Sequence, residues 1–208
     1  HTVVNITPDN VIDSWDDAIY YMEQPMYNQS VAMYCHTNKV LHDHGIVVTM
    51  AGDMGDEILG GYPKYWKMKQ PDYLKRMIGK EQIDNWDDVL TLWMQRIKRP
   101  ISGTTMGATL SREQVLEELK KCYPDDLWNP KDPVASYMAL DCVTQVPEEF
   151  FNRNDKFGMA YGMEGRFPLA TKMFMEYCMS IPVSDKIGGN KANTKMPTKK
   201  AYLKYLPE

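Results

Sequence analysis

The chain has 208 residues, of which 43% are hydrophobic and 25% are charged, a composition typical of soluble globular proteins with a substantial core. The formal net charge of −4 excludes a general electrostatic attraction to nucleic acid or to an anionic membrane. No apolar run approaches the roughly 20 residues that a membrane-spanning helix needs. We therefore expect neither a nucleic-acid partner nor a membrane partner.

The first residue and the cysteines bear on compartment and completeness. The chain opens on His1 rather than Met and shows no secretory signal, so we expect the true start to be missing. Cys35, Cys122, Cys142 and Cys178 lie far apart without a C-x-x-C pair. This usage is typical of reduced thiols rather than of a disulfide framework, and it predicts a cytoplasmic protein.

The strand-containing part is predicted within residues 1–70. Residues 13–24 and 29–44 have apolar residues at helical spacing, and Gly45 suits the end of the second helix. The run "IVVTM", residues 46–50, is rich in β-branched residues and does not alternate, which is typical of a strand buried on both faces of a parallel sheet. With a helix predicted from near Asp56, these elements form half of a βαβ repeat.

The remainder, residues 71–208, is predicted to be mainly helical. Helical patterns cover residues 86–98, 111–122, 134–146, 147–162 and 171–180. A loop rich in Gly and Asn follows at 186–194, and Pro197 suits the first turn of a last helix. The predicted fold class is α/β, with a partial parallel sheet followed by a mostly helical body.

Acidic residues and glycines are concentrated just after the predicted strand, in "GDMGDEILGGY", residues 52–62. Open parallel sheets bind ligands where strands end, and Gly52 lets a ligand approach the backbone closely. Two roles compete for Asp53, Asp56 and Glu57. They either cap a helix and compensate its dipole, or hold a divalent cation that bridges to the phosphates of a nucleotide.

The pair Gly60 and Gly61 bears on that choice. Glycine costs about 1 kcal/mol inside a helix, so two in succession are unexpected where a helix would continue. They indicate close packing, or a break in the helix, beside a site. This favours the cation role of the preceding acids.

Three segments, in this order, resemble motifs of the synthetase domain of the asparagine synthetase family. "AGDMGDEILGGYPKY", residues 51–65, is similar to S-G-(E/D)-G-x-D-E-x-x-G-G-Y. "NDKFGMAYGMEGRFPLA", residues 154–170, is similar to D-R-x-S-M-A-x-x-x-E-x-R-x-P-F-L-D. Residues 195–207 follow K-x-x-x-K-x-A-x(5)-P, which resembles K-x-x-L-R-x-A-x(4)-L-P. The resemblance covers nearly the whole chain.

The resemblance implies a fold, cofactors and substrates. It implies an adenine nucleotide alpha-hydrolase-like domain that uses ATP and Mg²⁺. Family members adenylate a side-chain carboxylate, release pyrophosphate, and let ammonia attack the acyl-adenylate. The implied substrates are aspartate or a similar acid, and ammonia from glutamine.

The resemblance also implies roles for individual residues. Asp56 matches the carboxylate that binds Mg²⁺ and pyrophosphate, and Lys195 matches the lysine that neutralises the departing phosphates. Asp53 matches the acid that orients or deprotonates the nucleophile. Gly52 matches a backbone contact to the nucleotide, and Glu149 matches an acidic position near the acceptor substrate.

Several features depart from the family pattern. The phosphate-binding motif S-G-G-x-D-S and the glutaminase domain are absent from these 208 residues, and Met54 stands at a usual glycine. We therefore expect a C-terminal fragment that is inactive alone, with the missing N-terminal portion supplied in cis or in trans. A truncated sheet leaves an open edge and exposed apolar surface, which predicts homo-oligomerisation through that edge.

Two alternatives remain open. One is a β-lactam synthetase-like or peptide-cyclising ligase on the same scaffold, against which the acid-rich run and "GGY" argue. The other is a non-catalytic interaction protein that kept the fold. The absent phosphate-binding motif favours it, whereas retention of Asp53, Asp56 and Lys195 argues against it.

Overall fold

A computed structural model of the chain describes residues 1, 3–24, 30–95, 111–190 and 193–205. The α-helices, in chain order, are α1 (Pro8–Asp13), α2 (Trp15–Met22), α3 (Ser30–Asp43), α4 (Gly55–Leu59), α5 (Pro63–Lys67), α6 (Pro71–Ile78), α7 (Trp86–Met94), α8 (Arg112–Cys122), α9 (Pro133–Val143), α10 (Asn152–Ala160), α11 (Lys172–Ser180), α12 (Val183–Lys186) and α13 (Met196–Tyr202). The strands are β1 (Val48–Met50) and β2 (Glu164–Arg166), a π-helix spans Val146–Phe151, and 3₁₀ turns span Asp125–Leu127 and Pro168–Ala170. The described chain is mostly helical with a small parallel sheet, so the α/β class is confirmed.

Local sequence signals account for several helix boundaries. Ser111 caps α8 through a reciprocal capping box with Gln114. The Asn85 side chain accepts a hydrogen bond from the backbone of Asp88 at the start of α7. The predicted helices at 111–122, 134–146 and 171–180 correspond to α8, α9 and α11. The predicted helix at 86–98 corresponds to α7 up to Met94, while residues 96–98 lie outside the described residues.

The chain divides into two compact units. Unit 1 comprises residues 1–54 and 144–171, and unit 2 comprises residues 55–143 and 172–208. This division differs from the one drawn at residue 70 from strand content. Unit 1 takes in β2, whose sequence Glu-Gly-Arg carries no strand signal, and unit 2 takes in residues 55–70.

Unit 1 contains the sheet and a small core. β1 pairs in parallel with β2, with Thr49 opposite Gly165. The core lies where α2, α3 and α10 pack together, and its buried residues are Ala18, Met22, Val31, Ala32, Cys35 and Phe157. Glu164 and Arg166 of β2 form an exposed ion pair at 2.9 Å.

The predicted burial of "IVVTM" on both faces is wrong. Val47 and Met50 are 66% and 76% exposed, and Ile46 and Val48 are exposed as well. Burial on both faces requires strand neighbours and covering helices, whereas in the part of the chain that the structure describes β1 pairs with β2 alone. The exposed apolar surface predicted for a truncated sheet is therefore present at β1.

Unit 2 has the larger core. Its buried aromatic and aliphatic residues come mainly from α5, α6, α7, α9 and α12: Tyr65, Leu74, Trp86, Val89, Leu90, Leu92, Val134, Tyr137, Met138, Leu140, Val183 and Ile187. Asp141 lies fully buried within this unit and accepts a hydrogen bond from the Tyr65 hydroxyl at 2.7 Å. Among the described helices, none is both long and apolar enough to cross a bilayer.

Candidate functional site

The residues that follow β1 adopt a strained turn. Gly52 is exposed, and a Cβ placed on it would meet no atom within 4 Å, so the space beside it is open. Met54 has φ 76°, in the left-handed region that glycine favours. That conformation costs roughly 1–2 kcal/mol, but the Met54 side chain is buried, which stabilises the fold by about 1.5–3 kcal/mol. Burial of the side chain therefore explains how methionine occupies a usual glycine position.

Asp53 is a half-buried carboxylate held within unit 1. Its Oδ2 accepts a hydrogen bond from Asn154 Nδ2 at 3.0 Å, and the same amide donates to the Phe150 carbonyl at 2.9 Å. Burial raises the pKa of Asp53, while Arg153 and the Asn154 hydrogen bond oppose that rise. A raised pKa makes the ionised carboxylate a stronger base, which suits a group that orients or deprotonates a nucleophile.

Arg153, which the sequence reasoning missed, lies beside this carboxylate in unit 1. Its side chain is 3% exposed, and its guanidinium carbon stacks 3.8 Å from the centroid of the Tyr34 ring and 5.4 Å from that of Phe150. The buried Nε has no hydrogen-bond partner. The sequence offers one weak signal for this residue. Arg153 directly precedes the segment 154–170 that resembles the second family motif.

Glu149 lies on the π-helix of unit 1. The sequence predicts an ordinary helix over 147–162, but the structure forms the π-helix Val146–Phe151 and then α10. Glu149 is half-buried, and its neighbour Glu148 is exposed. Because π-helical turns occur frequently at functional sites, this position is compatible with the implied role near the acceptor substrate.

Asp56 and Lys195 meet in unit 2. Asp56 lies in the first turn of α4, and its Oδ1 is 2.7 Å from Lys195 Nζ, with side-chain exposures of 37% and 36%. Lys195 precedes α13 and has φ 54°, so its backbone is held in the left-handed region. Strained residues of this kind cluster at functional sites. The structure thus brings together two residues that are remote in the sequence.

Gly61 leaves room for this ion pair, and Gly60 leaves room for a neighbouring apolar side chain. A Cβ on Gly61 would collide with Asp56 Oδ1 and Lys195 Cε, and a Cβ on Gly60 would collide with Ile187. Gly60 also has φ 73°. The close packing that the glycine pair predicted is confirmed, and at Gly61 the packed groups are the two charged side chains themselves.

Glu57 differs from the two aspartates with which the sequence groups it. It is 1% exposed within unit 2, and its Oε1 has no hydrogen-bond partner. Burial raises the pKa of Glu57, hydrogen bonding with Tyr62 opposes the rise, and Asp141 and Asp56 add to it. Glu57 is therefore a core carboxyl rather than an exposed helix cap or a cation ligand.

A buried polar cluster around Asp141 also escaped the sequence reasoning. Asp141 forms an ion pair with Lys64, whose Nζ lies 4.8 Å from the centroid of Tyr62 and 5.4 Å from that of Tyr137. The available signal was an acid inside the apolar run of α9. An acidic residue that is buried in an apolar helix is normally paired, so the position of Asp141 in α9 predicts a cationic partner.

The donor set fits a magnesium ion that is shared with a ligand rather than held by protein alone. No group of three or more His, Cys, Asp and Glu side chains in the described ranges is arranged to hold a metal ion. Mg²⁺ needs only one or two protein carboxylates when phosphate oxygens and waters complete its shell. Asp56, half-exposed and offering carboxylate oxygens, meets that requirement.

The sequence model of the asparagine synthase family matches residues 1–208, the whole chain. The chain belongs to the asparagine synthase family. This family consists of ATP-dependent amide ligases. Comparison with curated proteins gives no match, and comparison with solved structures gives none either. For an asparagine synthase family protein, an acid and a lysine that meet beside a glycine pair form a candidate phosphate site.

Proposed function

We propose that the chain is part of an AMP-forming amide ligase that resembles asparagine synthetase. It activates a carboxylate of aspartate or a similar acid by adenylation, and ammonia from glutamine attacks the acyl-adenylate. The observation that carries the proposal is the 2.7 Å pair between Asp56 and Lys195, which Gly61 leaves room to form. The family match supports the reaction class.

Asp56 and Lys195 act on the pyrophosphate in this proposal. Adenylation places negative charge on the departing phosphate oxygens, and preorganised positive charge is usually the largest contribution to such catalysis. Asp56 would hold Mg²⁺, which supplies positive charge to these oxygens when bound. Lys195 is fixed nearby by its backbone and by Asp56, and its three donors can turn towards an arriving phosphate.

Asp53, Gly52 and Glu149 act on the other reactants. Asp53 orients the ammonia and accepts its proton, a role that the raised pKa of its carboxyl favours. Gly52 offers backbone groups with open space beside them to the nucleotide. Glu149 stands near the acceptor acid.

The 208-residue chain is proposed to bind pyrophosphate without forming AMP from ATP. Its sequence contains no S-G-G-x-D-S segment to wrap the AMP phosphate. The remaining phosphate-binding residues would come from an N-terminal portion in cis or in trans. The exposed residues of β1 provide apolar surface for that portion or, without it, for a second copy of the chain.

Calorimetric titration with magnesium pyrophosphate tests this function. The wild-type chain should bind, and Asp56→Asn should bind roughly 10-fold or more weakly because a charged ligand is lost. Asp87→Asn is the matched control. Asp87 also lies in the first turn of a helix of unit 2 and pairs with Lys120 at 2.8 Å, so its loss should not change the affinity. Absence of wild-type binding would contradict the proposal, and ATP–pyrophosphate exchange by this chain alone would contradict its inactivity.

A further inference from the structure

Arg153 is a buried cation for which the described part of unit 1 provides no counter-ion. Its side chain is 3% exposed, and no carboxylate of the described residues lies within ion-pairing distance of its guanidinium. Its contacts are the faces of Tyr34 and Phe150, and its Nε lacks an acceptor. Buried charges in proteins are normally paired and hydrogen-bonded because removing them from water is costly.

Asp53 does not fill this role although it is close enough to be influenced by Arg153. Its Oδ2 is bound by Asn154, which is itself anchored to the Phe150 carbonyl. Asn154 therefore holds the carboxylate and leaves the donors of Arg153 unused. The arrangement keeps a buried cation near a half-buried carboxylate without an ion pair between them.

The chemistry of the guanidinium defines what completes the site. Its planar fork matches a carboxylate through two parallel hydrogen bonds. The guanidinium carbon lies 3.8 Å from the centroid of the Tyr34 ring, and this contact restrains the side chain, so less further ordering is needed when an anion binds. A carboxylate is therefore the group that satisfies both the charge and the unused Nε–H.

We propose that Arg153 binds the carboxylate of the acid substrate that stays ionised throughout the reaction. This inference rests on the proposed ligase function. The carboxylate to be adenylated must attack phosphorus, and a buried guanidinium bound to it would withdraw the electron density that this attack needs. Arg153 therefore selects acids that carry a second carboxylate besides the activated one.

Nuclear magnetic resonance of the full 208-residue chain tests the site directly. The Arg153 Nε–H signal is assigned by its loss in Arg153→Lys. L-Aspartate and L-asparagine, which both keep the α-carboxylate, should shift this signal, whereas L-isoasparagine, which keeps only the side-chain carboxylate, should not. No shift with any of the three overturns the proposal, and a shift with isoasparagine but not with asparagine overturns the assignment to the unreacted carboxylate.

Variants give an independent measure of the same contact. Arg153→Lys keeps the charge but loses the fork, and Arg153→Met keeps the length of the side chain but loses the charge. We expect affinity for L-aspartate to fall by roughly 10-fold or more in Arg153→Met and less in Arg153→Lys. Arg166→Met, at an exposed arginine of the same unit, is the control and should bind like the wild type. Circular dichroism checks that each variant is folded, and unchanged affinity in folded Arg153→Met overturns the proposal.

The two proposals fail in different ways. A chain in which L-aspartate shifts the Arg153 signal but magnesium pyrophosphate does not bind contradicts the ligase function and supports a carboxylate site. If the chain binds magnesium pyrophosphate but L-aspartate does not shift the Arg153 Nε–H signal, the result supports the ligase function and overturns the carboxylate site.

Discussion

The charged residues of the candidate sites are paired differently in the two units. In unit 2, Asp56 and Lys195 neutralise each other, and Asp141 is bound by Tyr65 and Lys64. In unit 1, Arg153 has no ion-pair partner within the described ranges, and Asp53 is held by an amide rather than by a cation. At these candidate positions, unit 2 has preformed its charged contacts, whereas unit 1 leaves the Arg153 guanidinium without an ion-pair partner among the described residues. The difference teaches that candidate binding residues can be recognised in two ways. Asp56 and Lys195 are recognised because they contact each other, and Arg153 because its buried charge has no ion-pair partner in the described part of the chain.

Gly61→Ala is the variant expected to break the preformed pair most severely. The new Cβ collides with Asp56 Oδ1 and Lys195 Cε, so the side chains separate or the backbone shifts. Overpacking of this kind costs roughly 1–3 kcal/mol of stability. Affinity for magnesium pyrophosphate should also fall by roughly 10-fold or more.

Gly189→Ala provides the control for Gly61→Ala. Gly189 is also in unit 2, and a Cβ on it meets no atom within 4 Å. This variant should keep both stability, measured by urea unfolding, and pyrophosphate affinity. Equal behaviour of the two variants would contradict the proposed need for glycine at position 61.

Tyr65→Phe probes how firmly unit 2 fixes its buried acid. Loss of the hydroxyl removes the 2.7 Å hydrogen bond to Asp141, whose side chain is fully buried. Leaving a buried charged acceptor partly unsatisfied should lower the free energy of unfolding by about 1–3 kcal/mol in a urea titration. Tyr73→Phe, at a half-buried tyrosine of the same unit, should change it little, and equal losses in the two variants would argue against a specific role of the Asp141 contact.

Glu57→Gln is expected to have a smaller effect, of opposite sign at neutral pH. Burial raises the pKa of Glu57 above its ordinary value of 4.5, so the folded state binds this proton more tightly than the unfolded state. Wild-type stability therefore falls as pH rises through the raised pKa, and glutamine removes that loss. We expect a gain of about 1 kcal/mol at pH 7 that disappears below the ordinary pKa of glutamate. Unfolding curves at pH 7 and pH 4 with the same gain would contradict this account.

Lys172→Met sets the baseline for surface ion pairs. Lys172 and Glu176 are 3.8 Å apart and largely exposed, so their interaction is screened by solvent. We expect no measurable change in stability or in pyrophosphate affinity. If Lys172→Met lowered pyrophosphate affinity as much as Lys195→Met, then general positive charge, rather than the fixed pair between Lys195 and Asp56, would govern binding.

Local signals in the sequence predicted much of the helical structure but little of the sheet. The helical pattern of residues 111–122 predicted α8, and the structure adds a capping box between Ser111 and Gln114, because such signals lie within one helix. β2 could not be predicted, since Glu-Gly-Arg forms a strand only through its pairing with β1. Burial of β1 was predicted wrongly because exposure depends on what packs against a strand and not on its composition.

The candidate site was predictable where a motif carries it. The residues Asp56 and Lys195 came from resemblance to family motifs, and spacing alone could not pair them. Glu57 and Arg153 were beyond prediction for a different reason. Their burial depends on how helices from different parts of a unit pack, such as α10 with α3 around Arg153 and Tyr34.

A double-mutant cycle on pyrophosphate affinity tests the central claim most directly. Asp56→Asn, Lys195→Met and the double variant are compared with the wild-type chain by calorimetric titration with magnesium pyrophosphate. If both side chains act on the same ligand, the two losses are not additive, with a coupling of roughly 0.5–3 kcal/mol. Additive losses, or affinities that none of the variants changes, would contradict the claim that Asp56 and Lys195 form one phosphate site.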